Sequence, residues 1–414
     1  MKSLVASVLK KQFWRRNMTA VTQKIEGILS NKITGLQLPV FRKIAPLVKH
    51  YDAIDLAGGV PDFSAPACVK EAAIKAIHEE CNQYALMQGN EELRTEISKK
   101  IDKKHGVYYN PETEITICCG VTEAMAATLL AILNPGDEVI ILEPAFTIYG
   151  PDVELFGGKP VYVSLTLPDF RIDKKAIENA VTNKTKAIIF NSPHNPTGRI
   201  FDQEEVDSIV DLCKRYNILV ITDEIYDEIC FDDCPLPRIW LQPEMENRVI
   251  VLNGFSKTYS VTGWRLGYIV APAWLTEGIR MAHNYLTISS PAPLQQGIIQ
   301  GVTASETYYK DLRKDYTERR NYLINAFEHI GIPFLASQGG YFLLADFSYL
   351  GWKNDVEFVK ELIAKLGVAA VPLSGFYHTY SAETVWLRFA FCKKLSTLRD
   401  AVERLQGIEK LRKI

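Results

Sequence analysis

Residues 187–226 read AIIFNSPHNPTGRIFDQEEVDSIVDLCKRYNILVITDEIY, and the order of segments inside them decides the fold. Ala187–Phe190 is a short apolar run, and turn-forming residues follow from Asn191 to Gly198. Asp202 then opens a helical pattern, Gln203–Tyr216, and a second apolar run occupies Leu219–Thr222. Short apolar strands joined by a helix predict parallel neighbours with helices on both faces.

The alternation continues outward. Helical patterns cover Ala72–Glu80, Leu93–Lys104 and Thr122–Leu133, and strand patterns cover Glu114–Cys119, Glu138–Leu142, Pro160–Leu165 and Val249–Leu252. Asn134-Pro135-Gly136-Asp137 marks a turn. Beyond about Ser305 come helix Tyr308–Ile330, strand Tyr341–Phe347, helix Asp355–Lys365, strand Thr384–Ala390 and helix Leu395–Gly407. The reading is an α/β protein with a mostly parallel sheet flanked by helices, plus a smaller α+β domain. The 414 residues are enough for two domains. We expect a basic extension at 1–24, an arm joining the small domain at 25–65, a large domain at 66–303 and a small domain at 304–414.

A composition of 47% apolar and 23% charged residues, with net charge -2, excludes a disordered chain and an overall basic footprint for nucleic acid. The eight cysteines form no CxxC pair and no zinc spacing, and read as reduced thiols. No stretch reaches the length of a membrane span. Residues 1–17 carry Lys2, Lys10, Lys11, Arg15 and Arg16, and no acid appears before Glu26. An organelle presequence and a plain basic tail both suit that pattern. The expected compartment is the cytoplasm, or a mitochondrion or plastid if the segment is a presequence.

Ligands of open α/β sheets bind beyond the carboxyl ends of the strands. Three strand patterns here run into Asn195, into Asp223 with Tyr226, and into Ser256-Lys257. The last lies in GFSKTYSVTGWRLG, residues 254–267, where an amine, a hydroxyl and the Arg265 guanidinium share one loop. Lys257 can form a Schiff base while Ser256 and Arg265 hold a phosphate. A solvated surface lysine is the alternative. The loop suits an anionic carbonyl compound such as pyridoxal 5'-phosphate.

The neighbouring residues extend that chemistry. Asp223 can keep a pyridine nitrogen protonated, or cap a helix. Asn195 and Tyr226 can donate to a ring phenolate oxygen, or Asn195 can serve the Pro-Thr-Gly turn. Val121 and Thr122 open a helix after Gly120, where phosphate binds backbone amides. Phe146 can stack on a ring face or belong to the core. Arg388, inside the apolar run Val385–Ala390, needs an anion: a substrate carboxylate or an internal ion-pair partner.

With these residues in place, the chain resembles the class I/II aminotransferases of pyridoxal-phosphate fold type I, in the methionine, glutamine and kynurenine transaminase branch. The likeness runs from about Gly58 to Gly407. It is carried by Gly58–Phe63, Gln83-Tyr84, Gly89 with Leu93-Arg94, the Asn134–Asp137 turn, Asn195–Gly198, Asp223–Tyr226, the Lys257 loop and Arg388. Gly339–Asp346 and Gly367–Tyr377 carry the branch.

The resemblance implies that Lys257 holds the cofactor and shuttles a proton, and that Asp223 pairs with the pyridinium. It implies that Asn195 and Tyr226 bind the ring oxygen, while Val121, Thr122, Ser256 and Arg265 bind phosphate. Tyr84 would reach the phosphate of a neighbouring subunit in a homodimer, Gly59 and Arg388 would hold the substrate carboxylate, and Asn195 would also bind the substrate. Tyr149 would line the side-chain pocket. Ile288-Ser289 departs from the aromatic-His pair of the kynurenine enzymes, and Thr122 replaces the lysine of prokaryotic-type aspartate aminotransferases.

The expected activity is ping-pong transfer of an amino group from an L-amino acid to a 2-oxo acid, with neutral, sulfur-containing or aromatic donors favoured. A cysteine-conjugate-type β-lyase and an aspartate-type aminotransferase are the alternatives. A pyridoxal-phosphate-binding regulator would need a DNA-binding module, for which the N-terminal segment has no room.

Overall fold

The computed structural model describes residues 30–36, 38–380 and 383–413; the basic segment at 1–17 lies outside them. Residues 30–36 and 38 belong to a unit of their own, with one helical turn, Asn31–Thr34, capped by the Ser30 side chain. Everything from Pro39 onward forms the second unit.

Its strands in chain order are β1 (Ile54–Asp55), β2 (Ile115–Cys118), β3 (Glu138–Glu143), β4 (Lys159–Ser164), β5 (Thr185–Asn191), β6 (Leu219–Asp223) and β7 (Val249–Gly254). They continue with β8 (Gly267–Val270), β9 (Phe334–Leu335), β10 (Phe342–Asp346), β11 (Val368–Ala369), β12 (Val371–Pro372) and β13 (Trp386–Ala390). The main sheet has seven strands in the order β2-β8-β7-β6-β5-β3-β4. Pairs β3–β4, β3–β5, β5–β6 and β6–β7 are parallel, whereas β8 runs antiparallel to both β2 and β7. A second sheet, β12-β13-β10-β9, belongs to the C-terminal part, and β1 pairs in parallel with β11.

The apolar runs have a direct packing reason. Ile140, Leu142, Ile188, Phe190, Val220 and Val251 enter the core on one face of the sheet. Val139, Ile141, Ala187, Ile189, Ile221 and Leu252 enter a second core on the other. Side chains alternate faces along a strand, so a sheet buried on both sides must be apolar at every step.

The helix Gln203–Tyr216 lies where periodicity puts it, opened by a capping box between Asp202 and Glu205. Other expected elements sit within a few residues of the observed ones; the helix expected from Ala72 begins at Ala67. Periodicity assigns nothing between Arg265 and Ser305, where the structure has β8 and helices Ala273–Thr287 and Ala292–Val302. Among the described residues, no helix is long and apolar enough to cross a membrane.

Candidate active site

The carboxyl ends of the parallel strands open into a cavity of about 310 Å³. Its walls include Gly59, Val121, Thr122, Phe146, Asn195, Asp223, Tyr226, Ser256, Lys257, Arg265 and Arg388. These are the site residues expected from sequence except Tyr84. That residue is 81% exposed and lines a separate surface depression with Cys81, Asn90 and Gln296.

Sheet register sets the floor of the cavity. Asn191 at the end of β5 pairs with Asp223 at the end of β6, and its side-chain amide donates to the Asp223 carbonyl at 2.8 Å. The Asn191 side-chain oxygen in turn accepts from the Asn195 amide at 2.9 Å. The Asp223 carboxylate accepts from the Tyr149 hydroxyl at 2.7 Å and the Ile225 amide at 3.2 Å. Both donors are neutral. Burial raises the Asp223 carboxyl above its ordinary range, and the Tyr149 and Ile225 bonds and the nearby Lys257 charge oppose that rise. Tyr149 therefore does more than line the side-chain pocket: its hydroxyl is spent on Asp223. Sequence spacing has no signal for a bond between residues 74 positions apart.

Lys257 sits on the loop between β7 and β8. Its amine lies 3.5 Å from the Gly59 carbonyl and 5.5 Å from the centre of the Tyr341 ring. Burial, helped by the Arg388 and Arg265 charges, lowers its pKa from 10.5 to about 8, against opposing contributions from Cys392 and Asp223. A neutral amine is the nucleophile, so covalent capture of an aldehyde should accelerate with rising pH and level off above about 8. An unperturbed lysine would continue accelerating to 10.5. The rate at which apoenzyme regains visible absorbance after addition of pyridoxal phosphate, followed from neutral to alkaline pH, measures this midpoint.

The helix Val121–Ile132 begins after β2 and a two-residue link, and its first residues, Val121 and Thr122, line the cavity. Gly120 precedes it at φ 82°, and a Cβ there would lie 2.7 Å from an Arg265 terminal nitrogen. Only glycine leaves both the turn and the guanidinium in place. Arg265 donates to the Thr262 carbonyl at 3.1 Å and lies 3.5 Å from the Thr122 hydroxyl. A helix N-terminus, two hydroxyls and a guanidinium make an anion cradle.

Arg388 on β13 is 5% exposed. It donates to the Asn195 side-chain oxygen at 2.7 Å and the Ala57 carbonyl at 3.0 Å, and its Nε has no partner. Phe342 and Phe376 lie over the guanidinium at 4.0 and 4.7 Å. Burial lowers its pKa to about 10, which leaves it charged at neutral pH. These contacts are to neutral groups, so the internal ion pair expected as an alternative is not what holds it. The bond to Asn195 also fixes that side chain's orientation, turning its amide nitrogen away from Arg388. The Gly59 carbonyl accepts from the Tyr341 hydroxyl at 2.9 Å.

These features suit pyridoxal phosphate. The amine is buried and easily neutral, the carboxylate lacks a cationic partner among its hydrogen bonds, and the glycine-opened cradle lies beside both. The sheet and cavity define a fold type I pyridoxal-phosphate enzyme. The chain belongs to the aminotransferase class I and II family, whose model matches residues 51–405.

The methionine aminotransferase of Escherichia coli is 34% identical over 381 residues, covering 92% of this chain and 98% of that protein. Human kynurenine–oxoglutarate transaminase 3 is 30% identical, covering 94% and 91%. The solved structure of N-succinyldiaminopimelate aminotransferase from Mycobacterium tuberculosis superposes with a TM-score of 0.89 at 34% identity, covering 92% of this chain and all of that one. The protein is accordingly a pyridoxal-phosphate-dependent aminotransferase that moves an amino group from an amino acid to a 2-oxo acid. The β-lyase and aspartate-type readings are not favoured by these relatives.

Proposed function

We propose that this enzyme acts on neutral amino acids with apolar or aromatic side chains, and that the cavity residues divide the work as follows. Lys257 anchors the cofactor and carries the proton at the substrate Cα. Asp223, oriented by Tyr149, holds the ring nitrogen's proton. Asn195 and Tyr226 face the ring oxygen, Phe146 covers the ring, and Val121, Thr122, Ser256 and Arg265 take the phosphate. Arg388 and the Gly59 backbone take the substrate carboxylate. The bound cofactor supplies an electron sink for the Cα carbanion.

The observation carrying the substrate reading is the lining of the remaining cavity wall: Phe41, Val60, Ile148, Phe342 and Phe376. Among the described residues the cavity's cations are Lys257, Arg265 and Arg388, and this reading gives each a task. A second substrate carboxylate would lack a partner, and leaving a buried charge unpaired is costly. A donor panel should therefore give kcat/KM at least about 100-fold higher for methionine or phenylalanine than for aspartate, the span of one charged-group mismatch. Equal rates would remove the reading. Arg388→Ala should raise KM for every donor and leave the cofactor's visible absorbance in place.

We further read the chain as a homodimer with a large domain at 66–303, a small domain at 304–414 and an arm at 25–65. Tyr84, Tyr285 and Ile288 are 81%, 80% and 53% exposed, and a partner subunit would cover them in this reading. The β1–β11 pairing ties residues 54–55 to the C-terminal part and supports the arm. Light scattering should give twice the 46.7 kDa chain mass. A monomer that retains full activity would refute the role of Tyr84.

A further inference from the structure

Glu143 ends β3 with a carboxylate that is 5% exposed, and the cavity chemistry above leaves it no task. A buried carboxylate is costly unless its oxygens are satisfied. One oxygen accepts from the His378 backbone amide at 2.8 Å, the other from the Ser164 hydroxyl at 3.3 Å. Two residues on, the Ala145 amide donates to the Phe376 carbonyl at 2.7 Å. The His378 ring stacks flat on Tyr162 of β4, with centroids 4.6 Å apart.

The segment 373–378 is thus fastened to the edge of the main sheet. Its other side is held at Ser374, whose amide and hydroxyl both donate to Asp355 at 2.8 and 2.6 Å. Between these fastenings lies Phe376, the ring over the Arg388 guanidinium.

We propose that Glu143 is a positioning residue for substrate binding: by fixing the 373–378 segment it keeps Phe376 against Arg388 and so sets the affinity of the carboxylate clamp. A guanidinium packed against two rings has fewer orientations to lose when a carboxylate arrives. The inference rests on Arg388 being that clamp, which Arg388→Ala tests separately. If that variant leaves KM unchanged, the clamp assignment fails whatever Glu143 does.

The experiment compares E143A, E143Q and F376A holoenzymes for KM of the amino donor and the oxo acid, for kcat, and for the absorbance of bound cofactor. E143A should raise both KM values about tenfold, the scale of one desolvated cation–aromatic contact, with kcat within about threefold of wild type. E143Q keeps an oxygen for the His378 amide and should restore KM to within about threefold. F376A should raise KM about as much, and the E143A/F376A double variant should be no worse than F376A alone, as expected for groups acting through one path. A folded E143A with wild-type KM, a kcat loss that E143Q fails to rescue, or additive effects in the double variant would overturn the proposal. Should E143A not fold, F376A with unchanged KM overturns it equally.

Discussion

Replacing Lys257 with alanine should lower kcat by about 10⁴-fold, the upper end of what a positioned acid–base group contributes, and abolish covalent attachment of the cofactor. Two roles fall together in this substitution. Among the described residues, the amine whose pKa burial lowers to about 8 is the only lysine nitrogen lining the cavity. Without it the aldehyde has no anchor and the substrate Cα has no nearby base. Cofactor held by the phosphate cradle alone should still bind, because Thr122, Ser256 and Arg265 are untouched. Denaturing the protein in borohydride before and after the substitution measures the covalent part; pre-steady-state turnover measures the rest. Residual turnover within about tenfold of wild type would mean another group moves the proton.

The second large effect is expected at Asp223. Asp223→Asn keeps the shape and removes the charge opposite the ring nitrogen. Breaking a buried charge pair costs about 3–5 kcal/mol, or about 10²–10⁴-fold in kcat/KM. Tyr149→Phe should act in the same direction at about tenfold, since it removes one hydrogen bond to a charged group. The sign follows from burial: it already pushes the Asp223 carboxyl toward its neutral form, and the Tyr149 bond opposes that. Losing the bond shifts the shared proton toward Asp223 and weakens the electron sink. Steady-state kinetics of both variants, with cofactor saturation checked by absorbance, decide it; a neutral Asp223→Asn would sink the assignment.

How far the sequence carries this picture depends on whether the deciding interaction is local. The runs Ala187–Phe190 and Leu219–Thr222 are legible because a doubly covered strand must be apolar at every position. Asp202 is legible because a helix cap acts within one turn. Strand β8 is not: four residues, Gly267–Val270, carry no period, and their direction is fixed by partners in β2 and β7. The cavity residues can be picked out because strand ends project to one edge whatever their loops do. Tyr149 shows the limit, since its hydroxyl partner, Asp223 at the end of β6, is 74 residues away in sequence. Arg388 shows another. Its need for an anion is legible, but the neutral oxygens that hold it in readiness come from residues 57 and 195.

The antiparallel return of β8 has a mechanical consequence. Gly254 pairs with Gly267, so the two ends of the 255–266 loop are sewn together at its neck. A Cβ on Gly267 would meet the Val121 amide at 2.8 Å, so the neck is also pressed against the start of the Val121–Ile132 helix. The loop carrying Lys257 and Arg265 is therefore braced at its neck against the start of that helix. A side chain added at Gly254 or Gly267 would disturb Lys257, Arg265 and the helix start together.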